Sequence, residues 1–64
     1  NRSLTLAEVE EVANRLNKQY KKTPYFIEMI MNDYRTVIFK NGRLLIHGLK
    51  DIQEGRKIYH QYFG

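Results

Sequence analysis

The stretch from Phe39 to Asp51, FKNGRLLIHGLKD, decides how this chain folds. Two apolar runs flank Asn41-Gly42, a pair that favours a two-residue type I′ hairpin because both central residues of that turn need positive φ. The second run ends at His47-Gly48, and Asp51 then opens a helix. Strands over 35–40 and 43–47 follow from this reading. A two-residue turn sets Phe39 opposite Leu44, Ile38 opposite Leu45, Val37 opposite Ile46 and Thr36 opposite His47.

Upstream, residues 25–31, YFIEMIM, read as another strand. A three-residue loop at Asn32-Asp33-Tyr34 then places Met29 against Val37 and Ile27 against Phe39. One sheet face carries Ile27, Met29, Met31, Val37, Phe39, Leu44 and Ile46; it is wholly apolar and is expected to receive the helices, with Phe39 at its centre. The opposite face carries Phe26, Glu28, Ile30, Thr36, Ile38, Lys40, Arg43, Leu45 and His47. That register keeps Glu28 out of the core. Nothing in the chain remains to cover this second face, so Phe26, Ile30, Ile38, Lys40, Arg43, Leu45 and His47 form the candidate partner face. Apolar residues in contact on an exposed sheet point to docking more than the same residues scattered singly.

A helix precedes the strands. Thr5 and Glu8 make a capping box, and Leu4 and Val9 stand where a hydrophobic staple would place them. Val9, Val12, Ala13, Leu16 and Tyr20 recur at helical spacing as one apolar stripe. Glu8, Glu10 and Glu11 suit the N-terminal end of the dipole and Lys18, Lys21 and Lys22 the C-terminal end; Pro24 closes the segment. The last helix runs from Asp51 to Phe63, with Asp51 and Glu54 as a second capping pair and Gly55, Ile58, Tyr59 and Tyr62 as its buried stripe. The fold class is therefore α+β, in the order α-β-β-β-α: a three-stranded antiparallel meander with two helices on one face, one domain over 1–64.

At 64 residues, such a domain buries only about 60% of the surface its unfolded chain exposes, and its stability is modest. Apolar residues at 42% and charged residues at 28% are ordinary for a globular chain. The absence of cysteine excludes disulfides, thiolate zinc sites and a cysteine nucleophile. No apolar run approaches the ~20 residues of a membrane span, and the expected location is the cytoplasm. The chain begins Asn1-Arg2-Ser3 without methionine, and is expected to be a fragment of a longer protein.

The usual reactive constellations cannot be written. His47 and His60 are the only histidines and stand on different elements, where a metal wants three or four ligands. His47 reads as a strand-end residue and contact rim. Ser3 is the only serine and has no nucleophile elbow around it. Glu8, Glu10 and Glu11 read as solvated. The glycines are scattered, so no phosphate-binding loop forms. Tyr59, Tyr62 and Phe63 lie at helical spacing and read as core rather than as a stacking platform. Catalytic, cofactor and metal residues are therefore expected to be absent.

The net charge of +4 brings nucleic acid into consideration. The order α-β-β-β-α is that of the double-stranded RNA-binding domain, and such a module is the alternative reading. It needs a basic N-terminus on the last helix, where this chain has Asp51 and Glu54. Arg56 and Lys57 come a turn later, and the positive charge is spread along the chain, so nucleic acid is not the expected partner.

Residues 39–64 carry a more specific likeness. Phe39, Gly42, Arg43, His47, Gly48, Asp51, Tyr59, Tyr62 and Gly64 match a Phe-x-x-Gly-Arg hairpin, His-Gly, an acidic helix start and Tyr-x-x-Tyr-x-Gly. This pattern resembles the extreme C-terminus of bacterial ThiF/MoeB/HesA-type adenylyltransferases, relatives of ubiquitin-activating enzymes. Leu49 departs from it where Thr is expected, and Gln61 where Arg is common. The resemblance implies a non-catalytic C-terminal interaction domain. Its parent would activate a ubiquitin-like sulfur carrier with ATP, for thiamine or molybdopterin synthesis. ATP and Mg, with Zn as a further candidate, would belong to that parent. The implied partners of the free sheet face are the parent's body or a second copy of the chain.

Overall fold

The computed structural model describes residues 4–64. Asn1, Arg2 and Ser3, including the serine considered above as a nucleophile, lie outside the described residues. The elements are α1 (Leu6–Arg15), β1 (Tyr20–Lys22), β2 (Phe26–Met31), β3 (Tyr34–Phe39), β4 (Leu44–Ile46) and α2 (Ile52–Phe63). The expected antiparallel meander is β2-β3-β4, and β1 extends it to a four-stranded sheet in the order β1-β2-β3-β4.

The capping box of α1 forms as read. Glu8 N–H donates to Thr5 Oγ1 at 3.2 Å, and Thr5 N–H donates to Glu8 Oε1 at 3.1 Å. The helix stops earlier than its apolar stripe suggests, at Arg15. Asn17 takes φ 56°, Lys18 N–H donates to the Ala13 carbonyl and Asn17 N–H to the Asn14 carbonyl. That pair of bonds is a Schellman motif, which satisfies carbonyls the helix end would leave bare. The chain is thereby released early enough for Tyr20–Lys22 to pair as β1 with Met29, Glu28 and Ile27. At α2, Asp51 caps by accepting from Gln53 N–H at 2.9 Å. The second capping box is only half formed, because the Glu54 carboxylate accepts instead from Tyr34 Oη at 2.9 Å.

Both hairpin turns differ from the sequence reading, in opposite senses. Asn32 and Asp33 have φ 49° and 69°, the positive values a type I′ turn requires, and Met31 faces Tyr34 directly. The first connection is thus a two-residue turn. At the second, Gly42 N–H donates to the Phe39 carbonyl and Phe39 N–H to the Arg43 carbonyl. Lys40-Asn41-Gly42 is a three-residue loop whose last residue alone has positive φ, 92°. This is a type I turn closed by a glycine bulge. Each change shifts a register by one residue: Ile27 faces Ile38 and Met29 faces Thr36, while Ile38 faces Leu44 and Thr36 faces Ile46.

A one-residue slip turns a strand over. Two slips of the same sense on either side of β3 leave β2 and β4 as expected and invert β3 alone. Ile38 and Thr36 face the helices, fully buried, and Phe39 and Val37 face away. The core is Val9 and Ala13 of α1, Ile58 of α2, and Ile27, Met29, Met31 and Ile38 of the sheet. Phe39, expected at its centre, is only half-buried on the other face. Gly55 makes room on α2 for the loop that precedes it, since a Cβ there would stand 2.8 Å from Leu49 Cδ2, while Ile46 of the sheet lies at 3.8 Å.

Candidate functional site

The face of the sheet turned away from the helices is the candidate partner surface, and the inversion of β3 changes its membership. Phe26, Ile30 and Leu45 lie on it as expected. Arg43 and His47 flank it, placed opposite Phe39 and Arg35 by single backbone bonds. Ile38 does not belong to it; it is 0% exposed among the core residues. Lys40 also leaves it, because it sits in the hairpin turn with its N–H bonded to the Tyr25 carbonyl. Val37, Phe39 and Arg35 take their places.

These residues are in contact rather than scattered. The rings of Phe26 and Phe39 meet edge to face, with centroids 6.1 Å apart. Val37 is buried between β2 and β4 while Ile30 remains 54% exposed. Glu28 is ion-paired to Arg35 across the ladder, so the carboxylate on this face is neutralised within the sheet. The signal for this arrangement was Arg35: placing Val37 and Phe39 inward would have taken the arginine inward with them.

The helix side carries one well-defined polar cluster. Lys22 Nζ donates to Glu10 Oε1 at 2.9 Å and Tyr20 Oη to Glu10 Oε2 at 2.8 Å, tying β1 to α1. The Lys22 ammonium, and then the Tyr20 hydroxyl, hold the Glu10 carboxyl below its ordinary value. The same contacts push Tyr20 and Lys22 up. A depressed carboxylate stabilises the fold above its unfolded value and loses that contribution as pH falls through the folded one. The melting-temperature advantage of the parent over Glu10→Gln is therefore expected to be level around neutrality and to shrink as pH falls below 4.5. At the alkaline end the raised Tyr20 and Lys22 make it shrink again above about pH 10. Thermal melts at several pH values check this; an advantage unchanged in strong acid would mean that the carboxylate does not hold β1.

His47 lies at the rim of the outer face and His60 on α2, against the Tyr59 ring at 5.9 Å. Among the described residues no group of three or more His, Cys, Asp or Glu could hold a metal ion, and no helix is long and apolar enough to cross a membrane. Asp51 and Glu54 occupy the start of α2 as a cap and as the partner of Tyr34. The pattern residues of the C-terminal half build the fold. Gly42 and Gly48 take positive φ, Asp51 and Gly64 cap α2, and Tyr62 Oη donates to Asn32 Oδ1 at 2.8 Å.

No family model and no solved structure matches the chain. A curated relative does. The chain is 36% identical over 61 residues to the sulfur carrier protein ThiS adenylyltransferase of Bacillus subtilis (strain 168), a match to 91% of this chain. It spans only 18% of that protein's length. The likeness seen in residues 39–64 thus extends to nearly the whole chain, and what the chain resembles is one part of a ThiF-type adenylyltransferase.

Proposed function

We propose that the chain is the non-catalytic C-terminal interaction domain of an ATP-dependent adenylyltransferase that acts on a ubiquitin-like sulfur carrier in the cytoplasm, for thiamine or molybdopterin synthesis. The observation that carries this reading is the 36% identity to a ThiS adenylyltransferase over 91% of the chain. ATP, Mg and any Zn belong to the catalytic body of the parent. The outer sheet face, with Phe26, Ile30, Arg43, Leu45 and His47, docks on that body. The contiguous Phe26–Phe39 contact and the exposed Ile30 support it, since desolvating such a patch is favourable.

ATP–pyrophosphate exchange with a sulfur-carrier protein tests the reading. The reading frame extended upstream of Asn1 is expected to catalyse exchange, and the 64-residue chain alone is not. In the extended protein, Ile30→Asp with Leu45→Asp is expected to lower the melting temperature without unfolding the isolated domain. Turnover by the isolated chain sinks the proposal, and an extended frame with no exchange activity does the same.

A further inference from the structure

The two edges of the sheet are not alike. β1 carries Lys21 and Lys22 and is followed by Pro24, features that discourage an edge strand from pairing further. β4 at the other edge reads Leu44-Leu45-Ile46, without a charge. Phe39 N–H donates to the Arg43 carbonyl and His47 N–H to the Arg35 carbonyl, so Arg43, Leu45 and His47 direct their backbone groups to β3. By the alternation of an antiparallel ladder, Leu44 and Ile46 turn their N–H and C=O to the open edge.

The side chains of the same two residues face the helices. With Ile52, Gly55, Arg56 and Tyr59 they line an open groove of about 320 Å³ between β4 and α2. Ile52 on its wall is 72% exposed. Arg56 is exposed and makes no ion pair with the described residues. An unguarded edge beside an apolar groove is the arrangement in which an added strand gains affinity from main-chain bonds and selectivity from alternate side chains.

We propose that this edge and groove receive an extended segment of a partner protein as a fifth strand. Its apolar side chains at alternate positions enter the groove, and a carboxylate on it meets Arg56. The segment adds antiparallel, so the residues that bond to Leu44 and Ile46 stand directly opposite them and are the ones whose side chains enter the groove. A guanidinium on the wall selects a carboxylate. A second copy of the chain fits less well: each copy carries +4, and pairing two β4 edges would bring Arg56 and Lys50 of both copies together. This inference does not rest on the adenylyltransferase reading.

The test uses the 64-residue chain, labelled with ¹⁵N, and a blocked octapeptide with threonine at the outward positions and valine at the groove-facing ones, except for one glutamate at the groove-facing position nearest Arg56. Amide shifts are expected at residues 44–47 and 52–59. N-methylation of the valines removes the edge bonds and is expected to weaken binding at least about tenfold. Lysine in place of glutamate, or Arg56→Glu in the chain, is expected to weaken it at least about fivefold. Arg56 is exposed, so that variant retains the fold. No shifts at about millimolar peptide, shifts confined to Ile30 and Val37 on the other face, or undiminished binding of the N-methylated peptide would each overturn the inference. So would a dimer joined through β4 in sedimentation experiments.

Discussion

Ile38→Asp is expected to abolish the cooperative thermal transition of this domain. Ile38 is 0% exposed and touches the cluster formed by both helices and β2. Truncating a buried isoleucine already costs about 2–5 kcal/mol, and a carboxylate without a buried partner adds a desolvation cost of its own. A single core in a chain this short supplies only about 3–5 kcal/mol in all. Far-ultraviolet circular dichroism should therefore show an unfolded chain. Two controls on the opposite face sharpen the result. Ile30→Asp, at a position 54% exposed, is expected to melt within a few degrees of the parent. Phe39→Ala loses its edge contact with Phe26 and is expected to cost about 1–2 kcal/mol. An Ile38→Asp variant that melts like the parent, together with a collapsed Phe39→Ala, would show that β3 presents its other face to the helices.

Ile58→Ala is expected to have the next largest effect. α1 buries two residues fully, Val9 and Ala13, but α2 buries only Ile58, at 1% exposure, with Tyr62 and Phe63 packed part-buried against the core. A 12-residue helix has little stability of its own in water. Removing its anchor costs about 2–5 kcal/mol, and about 1 kcal/mol moves the midpoint of a domain this size by roughly 4–8 °C. The expected drop is therefore at least about 8 °C. Tyr62→Phe, which removes only the hydrogen bond to Asn32, should lower the midpoint far less. A drop of only a degree or two for Ile58→Ala would mean that Tyr59, Tyr62 and Phe63 hold α2 in place.

Most of the fold was legible because its signals are local. The Thr5–Glu8 box, the Asp51 cap and the apolar faces of β2 and β4 follow from spacing alone. The turns were not, because turn type depends on which strand registers can be closed. Asn41-Gly42 is a strong two-residue signal, yet here it ends a three-residue loop. Asn32-Asp33 accepts positive φ at both residues, which fewer sequences do. The deciding information lay in β3, whose two faces are both largely apolar. Only Arg35 breaks the tie, through its ion pair with Glu28, and Tyr34 reinforces it by reaching Glu54. β1 was hidden for a different reason. Tyr20 continues the helical stripe from Leu16, and three residues are too short to show alternation. The candidate surface inherited the error at β3: Phe26, Ile30, Leu45 and the rim residues Arg43 and His47 were legible, whereas Ile38 and Lys40 were misplaced by the slipped register.

The order β1-β2-β3-β4 has a kinetic consequence. Every strand pairs with its neighbour in sequence, so each ladder closes a short loop and little entropy is lost before contacts form. Such a sheet assembles quickly, and the slower event is bringing α1 and α2 from opposite ends of the chain onto it. A folding rate of about 10⁴ per second with about 4 kcal/mol of stability implies that the free domain opens roughly ten times each second. Its residence in the native state is then brief. A partner present at about a hundred times its Kd adds about 2.7 kcal/mol and makes the open form about a hundredfold rarer. For a chain of this size, a binding partner controls exposure to proteases as much as location.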